Sequence, residues 1–166
     1  MFATTHRRLA LLRNLLLGGL LLAALEIAFA AITITEIITP SLGTLLGGDS
    51  GRNFILNTDG SVSGTDAADY LFGAVSGDLT VKKTAGSQSA NIVADNFSTT
   101  GGVTIKGVPC KWDTDTATTC DGLGITVTLI SGQTKNLLVG VDLDTSQVHS
   151  GGDSPTATYD INITLL

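Results

Sequence analysis

The stretch Ala28-Phe29-Ala30-Ala31-Ile32-Thr33-Ile34-Thr35-Glu36-Ile37-Ile38-Thr39-Pro40 carries two signals at one junction. Ala28-Phe29-Ala30 closes an apolar run with a small-x-small triplet, the pattern that a signal peptidase cuts. From Ala31 onward isoleucine and threonine alternate, the period-two signature of a half-buried strand rich in β-branched residues. The expected mature chain therefore opens directly on a strand over 31–39. Whether that strand pairs within its own subunit or is lent to another is left open by the sequence.

Upstream, Arg7, Arg8 and Arg13 precede a run of almost pure Leu, Ala and Gly over 15–25, and the first acid is Glu26. A basic n-region, a short apolar h-region and a cut after Ala30 predict a secretory signal peptide over 1–30 and one domain over 31–166. The rival is an uncleaved membrane anchor, which would need about twenty apolar residues. Glu26 near its middle and the Ile/Thr strand at its end argue for cleavage, leaving no membrane attachment in the mature chain. The expected location is accordingly the periplasm, the cell surface or the extracellular space.

The chain has nine basic and fifteen acidic residues; three of the former and one of the latter lie in 1–30. The remainder would carry six against fourteen, a net charge of −8, with His149 as its one histidine. Scattered Lys and Arg exclude the basic patch that nucleic acid requires. Abundant Gly, Thr, Ser and Asp with few aromatics suit an all-β domain with many tight turns.

Short alternating runs fill the rest. After Pro40 come Leu42-Gly43-Thr44-Leu45-Leu46 and a loop over 47–51, and Asn53-Phe54-Ile55-Leu56 reads as the second strand, ended by the Asp59-Gly60 turn pair. Residues 61–66 read as a loop or weak edge, and 67–75, with Tyr70, Leu71 and Phe72, as a segment entering the core. Strands follow over 78–82, 90–94 and 103–106, and 107–124 reads as a long connection. Ile125-Thr126-Val127-Thr128-Leu129-Ile130 is the clearest strand, and Ser131-Gly132-Gln133 is expected to return it as a hairpin into 137–143. In the last strand, over 157–166, Tyr159, Ile161, Ile163 and Leu165 share one face and Asp160, Asn162 and Thr164 the other. Seven to nine such strands predict an immunoglobulin-like two-sheet antiparallel sandwich. A closed β-barrel is the alternative.

Cys110 and Cys120 are an even pair in an exported chain and read as one disulfide, contributing roughly 3 kcal/mol on the chain-entropy model. Neither a C-x-x-C redox pair nor a zinc site fits their spacing.

Ile32-Thr33-Ile34-Thr35 leading to Leu42-Gly43-Thr44-Leu45, with the closing alternation from Ala157 to Leu165, resembles secreted bacterial domains with pilin-like sequences. More loosely it is similar to chaperone–usher fimbrial subunits. The resemblance implies an edge-sharing sandwich that polymerises by donating an N-terminal strand. Ile32, Ile34 and Ile38 would then be the donated or edge-pairing side chains, and the strand of Tyr159, Ile161, Ile163 and Leu165 the receiver. Partners would be copies of the chain or other surface subunits, with an export chaperone. One departure is visible: Cys110 and Cys120 lie mid-chain, where typical fimbrial subunits bridge an early strand.

Catalysis finds little purchase. His149 sits alone in a Ser/Gly loop, no phosphate-binding glycine loop occurs, and no cofactor is expected. Asp113, Asp115 and Asp121 invite a calcium reading, but an EF-hand frame fails at Ala117, at the glycine that should follow it and at the terminal Glu; an acidic turn is the simpler reading. Trp112 beside Cys110 either packs on the disulfide or contacts a ligand such as a sugar. The expected function is a non-catalytic structural or adhesive surface subunit, with a monomeric carbohydrate- or protein-binding module using the Trp112 loop as the alternative.

Overall fold

Alternation of apolar and small polar residues builds nearly every element. The structure, a computed structural model, describes residues 31–38, 40–45, 50–146 and 156–166. The expected signal peptide over 1–30, Thr39 and His149 lie outside the described residues. In chain order the strands are β1 (Ile32–Ile38), β2 (Thr44–Leu45), β3 (Asn53–Leu56), β4 (Val62–Ser63) and β5 (Tyr70–Phe72). Next come β6 (Gly77–Lys83), β7 (Gln88–Thr100), β8 (Val103–Gly107), β9 (Pro109–Trp112) and β10 (Thr118–Thr119). The last are β11 (Ile125–Leu129), β12 (Thr134–Val139), β13 (Val141–Thr145) and β14 (Thr156–Leu165). A 3₁₀ turn, Ala67–Asp69, is the only helical element among the described residues.

The ladders are antiparallel throughout, in the orders β1-β6-β12-β9-β10, β11-β7-β14, β4-β3-β13-β8 and β2-β5. β8 runs into β9 across Val108, and β12 into β13 across Gly140. Each is one long strand that leaves one ladder for another. Taken so, the main strands number eight (β1, β3, β6, β7, β8–β9, β11, β12–β13, β14), and they form the expected antiparallel sandwich.

The core lies between the sheets because each strand turns its apolar residues one way. Ala90, Ile92 and Ala94 of β7 and Val127 and Leu129 of β11 join Val81, Cys110, Trp112, Leu137 and Val139 in one cluster. Tyr159, Ile161, Ile163 and Leu165 of β14 pack on it half-buried, while Asp160, Asn162 and Thr164 are exposed, as the alternation predicts. A second cluster of Leu56, Val141 and Leu143 lies beyond Gly140.

Three expectations change. The 125–130 and 137–143 strands do not form a hairpin: β11 pairs with β7, while β12 pairs with β6 and β9. The turn is an arch between sheets, stacked on the β6–β7 arch, with the Gly132 N–H donating to the Lys83 carbonyl (2.8 Å) and the Ser131 N–H to Ser87 Oγ (3.2 Å). Arching sets Val127 and Leu129 across the core from Leu137 and Val139, so both apolar faces are covered. Second, 107–124 is no mere connection; it contains β9 and β10, because Val108, Cys110 and Trp112 alternate inward. Third, the 67–75 segment enters the core only in part: Ala74 packs on the second cluster, whereas Phe72 is 67% exposed, β5 pairing with the two-residue β2.

Gly140 holds the bend. A Cβ there would stand 1.9 Å from the Leu56 carbonyl oxygen, so no side chain fits. Its N–H donates to the Pro109 carbonyl (2.7 Å), and its own carbonyl accepts from Tyr159 Oη (3.0 Å). Because the obstacle is backbone, Gly140→Ala should cost at least about 3 kcal/mol in urea denaturation. Gly132→Ala, at a left-handed φ of 74° but facing open space, should cost only about 1 kcal/mol. Equal losses would show that the Leu56–Gly140 approach does not constrain the fold.

Candidate functional site

The sequence points to the two ends of the domain, and the fold makes both of them edges. β1 is the last strand beside β6, and β14 the last beside β7. Among the described strands each has a hydrogen-bonded neighbour on one side. They lie in different sheets, so β14 does not take β1 as its neighbour within the subunit.

β1 belongs to a longer ribbon. Ile32 stands opposite Lys83, Ile34 opposite Val81 and Glu36 opposite Leu79; after a bulge, Ile38 stands opposite Asp78. Ser41 then bridges Val75 and Thr44 pairs with Phe72 in the same frame, so 32–45 runs against 70–83. Directly opposed residues share a side of the sheet. Ile34 therefore lies on the side of fully buried Val81, yet it remains 44% exposed, and Ile38 41%. Burial of both Ile32 and Ile34 is the natural expectation from their shared face, but only Ile32 packs on the core cluster. β1 is held chiefly by its backbone ladder.

Lys83 is the residue that sequence reasoning passes over. It is 1% exposed, and its Nζ has no hydrogen-bond partner. Asp78 Oδ1 is likewise buried and unpartnered. Both stand directly opposite β1, at the two ends of its ladder. A buried ammonium without an acceptor costs several kcal/mol. The alternation itself held the signal: Leu79, Val81 and Lys83 fall on one face once the strand is extended by one residue past Lys82.

At the opposite side of the sandwich, Cys110 and Cys120 are joined, with Cα atoms 5.8 Å apart, closing the β9–β10 hairpin. Both are fully buried. The Cys120 carbonyl accepts the Ala94 N–H (2.8 Å), fastening that hairpin to β7. Trp112 is only 7% exposed and packs in the same cluster. One flank lines an open cleft of about 320 Å³ with Asp115, Thr116, Thr118, Ile125, Thr126 and Val127. Such a cleft offers hydroxyls and the margin of an indole rather than an exposed stacking face.

The three candidate calcium ligands are employed separately. Asp113 accepts from Lys135 Nζ, Asp121 Oδ1 accepts the Val108 N–H (3.0 Å), and Asp115 lies on the exposed turn. Among the described residues no three His, Cys, Asp or Glu side chains are grouped to hold a metal. Elsewhere, Asp66 accepts the Asn53 N–H (2.8 Å) and the Thr65 hydroxyl, which with Arg52 nearby hold its carboxyl below the usual range. Arg52 also pairs with Asp69. These contacts fix the 3₁₀ turn to β3 and serve structure.

Denatured, unreduced protein should show no free thiol on labelling, and Cys110→Ala with Cys120→Ala should lower stability by about 2–5 kcal/mol. The single Trp should emit at the blue end of the indole range and resist acrylamide. Two free thiols, or a red, readily quenched emission, would contradict this packing. Compared with known protein families, with curated proteins and with solved structures, the chain matches none.

Proposed function

We propose that this chain is a non-catalytic structural subunit of an exported surface assembly, fimbrial (pilin-like) or matrix in type, joining its neighbours by β-strand addition. The observation that carries the reading is β1: a seven-residue edge strand on which Ile34 and Ile38 stay two-fifths exposed. An edge strand with unpaired backbone is a template for another chain unless Pro, Lys or a covering element blunts it. β14 offers a second such edge, ten residues long and without Pro or Lys. Strand addition draws affinity from the backbone ladder and specificity from alternate side chains, and β1 supplies both. A disulfide in the core fits an oxidising compartment, in keeping with export behind a cleaved leader.

The cleft beside Trp112 favours a second reading, a monomeric secreted module that takes a carbohydrate or a peptide there. The two readings separate in solution. The exported full-length product should run as SDS-resistant multimers that collapse to one band on boiling. With Ile32→Asp and Ile34→Asp it should remain β-rich by circular dichroism yet elute as a monomer. A wild-type monomer whose Trp emission shifts on adding soluble glycans would establish the binding module instead. Loss of the β signal in the double variant would show β1 to be integral to its own subunit.

A further inference from the structure

The placement of β1 against β6 is chemically imperfect. It sets Ile32 opposite Lys83, whose buried Nζ has no acceptor, and sets Glu36 opposite Leu79, a residue of the apolar face. A bulge interrupts the ladder immediately after Glu36. The one acid on β1 and the one fully buried cation on β6 thus share a ladder but stand out of step, Leu79 and Lys83 being 83 − 79 = 4 residues apart.

We infer, building on the assembly reading above, that β6 is completed in the assembled state by the β1 strand of a second copy, advanced by these four residues so that Glu36 meets Lys83. An even shift leaves Ile32 to Glu36 on the faces they already occupy, and loss of the bulge after Glu36 turns Ile38 from the side of Asp78 to that of Val81. A regular strand in that frame sets Ile38 opposite Val81 and Pro40 opposite Leu79, apolar against apolar. The carboxylate of Glu36 then gives Lys83 the acceptor that it lacks.

The subunit's own β1 does not reach this frame. Ser41 and Val75 exchange both of their backbone hydrogen bonds (2.8 and 2.7 Å), and Thr44 pairs with Phe72, which pins 32–38 where it lies. A strand arriving from another copy carries no such tether to the β6 it joins. Because the donating and accepting surfaces differ, the contact is heterologous and propagates into a filament.

Paired cysteines read the frame directly, since directly opposed strand residues lie within disulfide reach. The native thiols are already joined and fully buried, so added ones report alone. In the exported full-length product, Ile38→Cys with Val81→Cys should give, on oxidation, a covalent ladder of subunit multiples. Ile34→Cys with Val81→Cys should not. A ladder from the second pair alone would mean exchange in the unshifted frame, overturning this inference while leaving assembly intact. Intrachain closure of the second pair, with no ladder from either, would overturn both. Separately, Lys83→Met should keep the β signal and reduce multimers about tenfold or more, with recovery when Glu36→Met is added. Unchanged multimers in Lys83→Met would exclude the ion pair.

Discussion

The contact of two backbones, Gly140 against the Leu56 carbonyl, governs the shape of this domain. It permits the β12–β13 strand to pair with β6 and β9 on one side of the bend and with β3 and β8 on the other. One ribbon thereby serves two ladders and two clusters of apolar side chains. The Tyr159 hydroxyl on the Gly140 carbonyl ties the last strand to the same point. Within the main cluster, the disulfide and Trp112 close the β9–β10 side, and the paired arches close the turn side. On the β1 side, Ile32 is the one side chain of that strand, among those described, that packs on the cluster. The molecule is thus well sealed on one flank and thinly sealed on the other.

Much of this was legible in the residues. The alternation from Tyr159 to Leu165, the pairing of Cys110 with Cys120 and the antiparallel sandwich follow from patterning and an even thiol count. The arch at 131–133 did not, because a short Gly-containing turn between two apolar strands suits a hairpin and an arch equally well; what decides is whether a second arch lies beneath it. β9 was hidden by Pro109 at its start and by a polar turn after it. Phe72 misled in the other direction, since an aromatic reads as core wherever a strand is expected, and only the pairing of β5 with a two-residue neighbour leaves it outside. For the proposed assembly edge, Ile32, Ile34 and Ile38 could be read as a set, but their unequal burial depends on what lies across the gap. Lys83 was overlooked because a strand ending at Lys82 places the buried cation outside it.

These physical features converge on one flank. Exposed isoleucines, a buried amine without an acceptor and a bulge after the acid all fall on the same two strands. Each alone is an ordinary blemish; together they describe a strand that is adequate where it lies and better matched elsewhere. An exchanging subunit of the kind proposed would need such a strand, held in the monomer and released on assembly. The opposite flank is tied by its disulfide, by Trp112 and by the backbone bond from Ala94 to Cys120, and would hold the fold together if the β1 edge opened.

Native-state hydrogen exchange on the monomeric subunit tests this division most directly. If β1 is a separately releasable strand, the amides of Ile32–Ile38 that bond to β6 should exchange by local opening, with protection at least about a hundredfold below that of β7 and β12. Protection in β1 equal to that of β7 and β12, lost only with global unfolding, would contradict the account and make β1 a permanent member of its own sandwich.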